Sequence, residues 1–315
     1  MSRRGRRRIK PLAARDGVDA TRVVLRTDSG PRSVLDSLLL APLLAGWTAD
    51  DIRSRAESGE IVDSDGRAVD LEAPVTRPTP VYLYRDLPQE FAVPFQVSVL
   101  HVDDDLLVVD KPHYLATMPR GSHVAQTALV RMRREFGDEV APVHRLDRLT
   151  AGVLIFTRRR EVRGAYQDLF AQRQVTKEYR ALAPAVSSLA DGVRVSNRIE
   201  KTAGDLCARV VDGEVNAVSD IGLEFTGADG LGMYRLRPQT GRTHQLRLHM
   251  AELGAPIIDD PLYPEVDREL IVAPDHGDFS RPLRLLAHSV EFTDPFTGEV
   301  RRFVSERTID RLGAE

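Results

Sequence analysis

The sequence predicts an α+β chain, a small module followed by a larger mixed domain. Short apolar runs of strand length alternate with segments of helical period, which is the pattern of mixed structure. Around residues 86–95, Pro88 and Pro94 interrupt both periods and mark a linker. With 315 residues, 42% of them hydrophobic and 29% charged, the chain can bury two cores and is not a disordered polymer.

Residues 1–30 lack sustained periodicity and are expected to form a basic, flexible arm. Six cations and no acid fall in residues 1–10 (Arg3, Arg4, Arg6, Arg7, Arg8 and Lys10), although the whole chain carries −3. Such an arm either contacts phosphates or merely solubilises. The small module is expected over 31–90. In residues 33–44, Val34, Leu35, Leu38, Leu39 and Leu43 share one helical face. Thr48 followed by Asp50 and Asp51 caps a second helix that ends before Gly59. Strands are expected near 60–62 and 80–84, with Asp65-Gly66 as a turn. The larger domain is expected over 95–312. Its strand candidates are 97–101, 106–109, 153–156, 179–182, 233–237 and 289–292, and its helix candidates are 125–136, 160–172 and 243–253.

Cys207 is the only cysteine, so an internal disulfide, a cysteine-based zinc site and a paired-thiol redox motif are excluded, and a reducing cytoplasmic setting is expected. No run approaches the roughly 20 apolar residues that span a bilayer, so neither membrane insertion nor export is expected. Only four of the 44 cations are lysines (Lys10, Lys111, Lys177, Lys201). Arginine suits phosphates and bases, but genomic composition produces the same bias. Nothing demands more than one chain, and a monomer is expected.

Three segments hold the candidate chemistry. His144-Arg-Leu-Asp-Arg-Leu-Thr-Ala-Gly152 runs into an apolar strand, with the Asp147 carboxylate between Arg145 and Arg148. Adjacent positive charge keeps a carboxylate ionised, ready as nucleophile or base, and the same cluster also reads as a structural salt bridge. In Arg242-Thr-His-Gln-Leu-Arg-Leu-His249, Leu246, Met250 and Leu253 pack inward, and Arg247 beside that stripe needs a carboxylate partner. His244 and His249 lack metal-pair spacing and read as core or surface histidines. In Lys177-Glu-Tyr-Arg-Ala181, a lone strand tyrosine reads as packing.

The order of these runs is more specific than any one of them. Val109-Asp-Lys-Pro112, His144-Arg-Leu-Asp147 with Thr150 and Gly152, Lys177-Glu-Tyr179, Arg242 with Gln245-Leu-Arg247, and Pro256-Ile-Ile with Asp260 and Tyr263 resemble the RluA-type RNA pseudouridine synthases. The resemblance covers about 95–300. It implies a pseudouridine synthase-like domain with a mixed, mainly antiparallel sheet and flanking helices, acting on rRNA or tRNA with a flipped uridine. Asp147 matches the catalytic aspartate and Tyr179 the tyrosine that stacks on the base and serves proton removal from C5. Arg247 matches the arginine paired with that carboxylate, Leu246 the apolar contact to uracil, and Arg145 the side chain that fills the gap in the RNA stack. His144, Thr150, Lys177, Arg242 and Gln245 complete the implied substrate site. The module at 31–90 resembles, in pattern, an RNA-binding module shared with a ribosomal small-subunit protein, and equally reads as a plain packing domain. Base and sugar stay together in the product, so no metal, redox group or nucleotide cofactor is implied, and no DNA partner is expected.

Four positions depart from the family pattern: Tyr114 and Asp259 replace common glycines, Ala151 a common serine and Leu286 a common histidine. They bear on loop shape and substrate choice. A glycosidase would need a second carboxylate flanking the bond, and within these motifs only the turn acids Asp259 and Asp260 could be nominated. A non-catalytic RNA binder on the same scaffold is the other alternative. Its signature would be aromatics interleaved with cations, whereas aromatic content is 6%.

Overall fold

The structure is a computed structural model that describes residues 10–26, 30 and 32–309. All of the N-terminal cation cluster except Lys10 lies outside the described residues. The chain divides into two compact units, Met1–Pro88 and Gln89–Glu315.

In the first unit, β1 (Thr21–Leu25), α1 (Val34–Leu39), α2 (Ala49–Glu57), β2 (Ile61–Val62) and β3 (Thr79–Leu83) form a three-stranded sheet, order β1-β3-β2, covered by the two helices. Both helices start on designed-looking caps. The Ser33 hydroxyl accepts from Asp36 N, and Thr48 and Asp51 form a reciprocal capping box. Leu35, Leu38, Ile52, Val81 and Leu83 are buried between the layers. Two expectations are corrected here. The span read as an arm contains β1, which pairs with β3 from Thr21↔Leu83 to Leu25↔Thr79. The helix expected over 33–44 ends at Leu39 because Ala41 turns extended ahead of Pro42, whose ring excludes the α conformation for the residue before it.

The second unit is built on one sheet of eleven strands. Its elements are β4 (Ser98–Val102), β5 (Leu106–Lys111), α3 (Ala128–Phe136), β6 (Ala141–Pro142), β7 (Ala151–Thr157), α4 (Arg160–Ala171), β8 (Val175–Pro184), β9 (Val193–Glu200), β10 (Arg209–Val211), β11 (Ala217–Thr226), β12 (Leu231–Pro238), α5 (Gln245–Glu252), α6 (Arg268–Val272), β13 (Leu285–Thr293) and β14 (Val300–Val304). The order is β10-β9-β11-β12-β8-β13-β7-β5-β4, with β14 on β13 and β6 on β7. All pairings are antiparallel except β13 with β7. The strands β5 and β7 are wholly buried, as their unbroken apolar runs require.

One row across this sheet organises the site. Lys111 on β5 pairs with Gly152 on β7, Gly152 with Ala287 on β13, Ala287 with Tyr179 on β8, and Tyr179 with Leu236 on β12. Gly152 has φ +113, and a Cβ there would lie 2.2 Å from the Ala287 carbonyl oxygen, so the β7–β13 junction admits only glycine. Among the described residues no helix is long and apolar enough to cross a membrane.

Candidate active site

The connection from β6 to β7 carries Asp147 on a braced loop. Leu146 N donates to Thr117 Oγ1 at 3.0 Å while that hydroxyl donates to Leu146 O at 2.8 Å. On the other side, Lys111 Nζ reaches Arg148 O at 3.4 Å and also holds Pro112 O and Leu115 O at 2.9 and 2.7 Å. Thr150 N closes the turn on Asp147 O at 3.1 Å. Carbonyls on both sides of the aspartate are thus tied to buried groups, which is why the Asp-Lys-Pro turn matters to a residue far along the chain. Burial pulls the Lys111 ammonium down to about 7, and the charge of Asp147 works against that pull.

Asp147 lines a cavity of ≈ 560 Å³. Every residue nominated from the sequence lines the same cavity: Asp147, Tyr179 and Arg247, with His144, Arg145, Leu146, Thr150, Lys177, Arg242, Gln245 and Leu246. Four stretches of chain therefore converge: the β6–β7 loop, the start of β8, the turn after β12, and α5. Tyr179 stands half-buried in a central strand, and burial, then the nearby Asp147 charge, pushes its phenol up, so it is neutral at physiological pH. The His144 ring stacks on Phe170 with centroids 4.5 Å apart. Its Nε2 accepts from Ile155 N at 3.1 Å, which leaves the proton on Nδ1, and burial pushes the ring down to about 3.

Two nominated side chains are engaged within the protein itself. Arg247 spends its fork on Asp260, Nε to Oδ2 at 2.8 Å and Nη2 to Oδ1 at 2.5 Å, with both side chains buried. Among the described residues no hydrogen bond or ion pair joins Arg247 to Asp147. The carboxylate that the helix pattern demanded is the turn acid, because a fully buried guanidinium needs a partner in the free protein. Gln245 is a wall residue whose amide is already committed. Its Oε1 accepts from Thr240 Oγ1 and Arg242 N, and its Nε2 donates to Val218 O and Ser219 Oγ. It shapes the turn that presents Arg242.

The sequence missed His244, read there as core or surface. It caps α5 with φ +57, lines the cavity, and its Nδ1 lies 3.1 Å from the Tyr263 hydroxyl. It also missed Gln167, Phe170 and Arg173 at the end of α4, which carry no motif and reach the wall only through packing. Its neighbour in that reading, His249, is fully buried against Asn197.

Comparison with known proteins settles the family. Residues 105–252 match the family described as RNA pseudouridylate synthase. An uncharacterized RNA pseudouridine synthase of Synechocystis sp. is 30% identical over 216 residues, covering 67% of this chain and 73% of that protein. The chain belongs to the RluA-type RNA pseudouridine synthase family. Ribosomal large subunit pseudouridine synthase D of Xanthomonas campestris pv. campestris is 31% identical over 226 residues, 64% of this chain and 63% of that protein, so the match spans less than two thirds of that relative. Human RNA pseudouridylate synthase domain containing 1 shares the fold, with a TM-score of 0.51 at 24% identity over 70% of this chain and 86% of that one.

The departures from the RluA-type pattern have local explanations. Tyr114 and Asp259, where glycine is common, keep left-handed backbone at φ +63 and +57. Each recovers contacts that glycine lacks. The Tyr114 ring meets Phe279 edge-on at 5.2 Å, and Asp259 accepts from Arg281 Nε at 2.9 Å. Ala151 and Leu286 are register partners that pack together with Ile309, so an apolar pair stands where many family members have serine and histidine.

Proposed function

We propose that this enzyme isomerises specific uridines in structured RNA, ribosomal or transfer, to pseudouridine, with Asp147 as its catalytic carboxylate. One observation carries the reading: among the described residues Asp147 is the single acid on a cavity wall that also bears Arg145, Arg173, Lys177, Arg242 and Arg247. A glycosidic bond inside a helix is out of reach until the nucleotide is flipped, at a cost of a few kcal/mol. Arg145, exposed at the rim, would fill the vacated stack, and Leu246 with Tyr179 would hold the uracil.

The Asp147 carboxylate attacks C1′, and the N1–C1′ bond breaks to leave a uracil anion in the cavity. The base turns, C5 attacks C1′ and the carboxylate is released. The C5 proton leaves and N1 gains one, so the product is an isomer. Elimination at the sugar, promoted by the same carboxylate, leads to the same product. Burial, then the Asp147 charge, pushes the Tyr179 phenol up, so it meets the base as a neutral hydroxyl. A neutral phenol serves the C5 step by handing on its own proton as it takes another. Arg247, held by Asp260, offers its remaining N–H groups to the cavity.

The second reading is a non-catalytic RNA binder. Asp147→Asn separates the two by tritium release from RNA labelled at C5 of uridine. The isomerase reading expects turnover to fall about a thousandfold or more with RNA still bound, whereas unchanged tritium release would sink it. We propose further that the enzyme works as a monomer in the cytoplasm, which gel filtration and cell fractionation test.

A further inference from the structure

Surface arginines elsewhere in the second unit are mostly paired with acids: Arg159 with Asp105, Arg194 with Asp220, Arg198 with Glu200, Arg235 with Glu224 and Arg237 with Glu178. The cavity is different. Arg145, Arg173, Lys177 and Arg242 line it, and none of the four is in an ion pair among the described residues. Arg242 donates through Nε to the Asn216 carbonyl, and Lys177 reaches the Thr240 carbonyl at 3.4 Å. Arg173 is exposed, and its guanidinium has no hydrogen-bond partner among the described residues.

Arg173 also occupies an unexpected position. It follows α4 with φ +60, while Gln174 N reaches Leu169 O at 2.8 Å and Arg173 N reaches Phe170 O at 3.2 Å. That is a Schellman end, where glycine is the favoured residue because it adopts the left-handed conformation without strain. A side chain here strains the backbone and makes no bond in return. A ligand outside the protein would give the guanidinium the partner it lacks here. From this corner the guanidinium stands near Lys177, close enough that its charge adds to burial in pushing the Lys177 ammonium down.

We propose that Arg173 and Lys177 form a binding site for one RNA backbone phosphate at the α4–β8 corner of the cavity, with Arg173 the ligand that no motif marks. The inference rests on the RNA reading above. It places the strand beside the flipped nucleotide along the end of α4.

The test is Arg173→Gly with Arg173→Lys as its control, in the full chain, using end-labelled oligouridine across a salt series. Loss of one phosphate contact should flatten the slope of log affinity against log salt by about 0.7. Arg173→Gly should melt no lower than the parent, because glycine suits the cap, and Arg173→Lys should keep the parent slope. An unchanged slope in Arg173→Gly overturns the proposal, and so does a marked drop in its melting temperature, which would make the arginine a fold element. If the parent itself releases no tritium from C5-labelled RNA, the isomerase reading fails, while the slope comparison still judges Arg173.

Discussion

The guanidinium of Arg247 and the carboxylate of Asp260 are 3% and 1% exposed, so each is tolerable only because of the other. Leu262 N and Tyr263 N also donate to Asp260 Oδ1, at 2.9 and 3.2 Å, which turns a turn residue into a hub. Asp260→Asn should therefore lower stability by about 3–5 kcal/mol, read from urea midpoints at neutral pH. His113 presents the opposite case. It is fully buried, and neither ring nitrogen finds a hydrogen-bond partner among the described residues. Burial, then the Lys111 charge, pushes it down to about 3. Replacing an unsatisfied buried group by an apolar one of similar size is close to neutral, so His113→Leu should change the neutral-pH stability by no more than about 1 kcal/mol. A loss several times larger in the same urea titration would show that the ring does more than fill space.

Elements that bury one clear face were readable in the sequence. The helices expected over 125–136 and 160–172 appear as α3 and α4 with ends moved by a few residues, and the strand at 106–109 extends to Lys111. The strands missed altogether were β1, β6, β9, β10, β11 and β14. In β14 and β9 inward and outward residues alternate over stretches with several charges, Val-Arg-Arg-Phe-Val and Val-Arg-Val-Ser-Asn-Arg-Ile-Glu, and these pair at or near the sheet margins. Their strand character comes from the neighbours that supply hydrogen bonds, not from an apolar run. Two substitutions test the element-level account. Thr127→Ala removes the side chain that accepts from Val130 N at the start of α3 and should cost about 1 kcal/mol in thermal or urea unfolding. Gly152→Ala drives a Cβ into the Ala287 backbone of β13 and should leave little folded protein, seen by circular dichroism and by expression in the soluble fraction.

Across the whole molecule, two buried histidines and two half-buried ones bias stability with pH. His113 and His144 are pushed down to about 3, and His244 and His249 to about 4, each chiefly by burial. Unfolded histidine titrates near 6.5, so between these values the unfolded chain binds protons that the folded one refuses. Their stabilising contribution is complete above pH about 6.5 and is lost as pH falls toward 4. Lys111, at about 7 when folded against about 10.4 when exposed, adds stability as pH rises from neutral. Urea midpoints should climb from pH 5 to pH 8, and a flat profile would mean that these rings are solvated. The chain's own order of residues determined the α+β class, the two-part division and the nomination of eleven positions that line one cavity, because motif identity and periodicity are local properties. Which carboxylate holds Arg247, that Gln245 is spent on the protein, and that Arg173 stands at the cavity corner were decided by folding. Those facts depend on distances between strands and helices that are remote in sequence, and a buried charge takes whichever partner the packed backbone brings within reach.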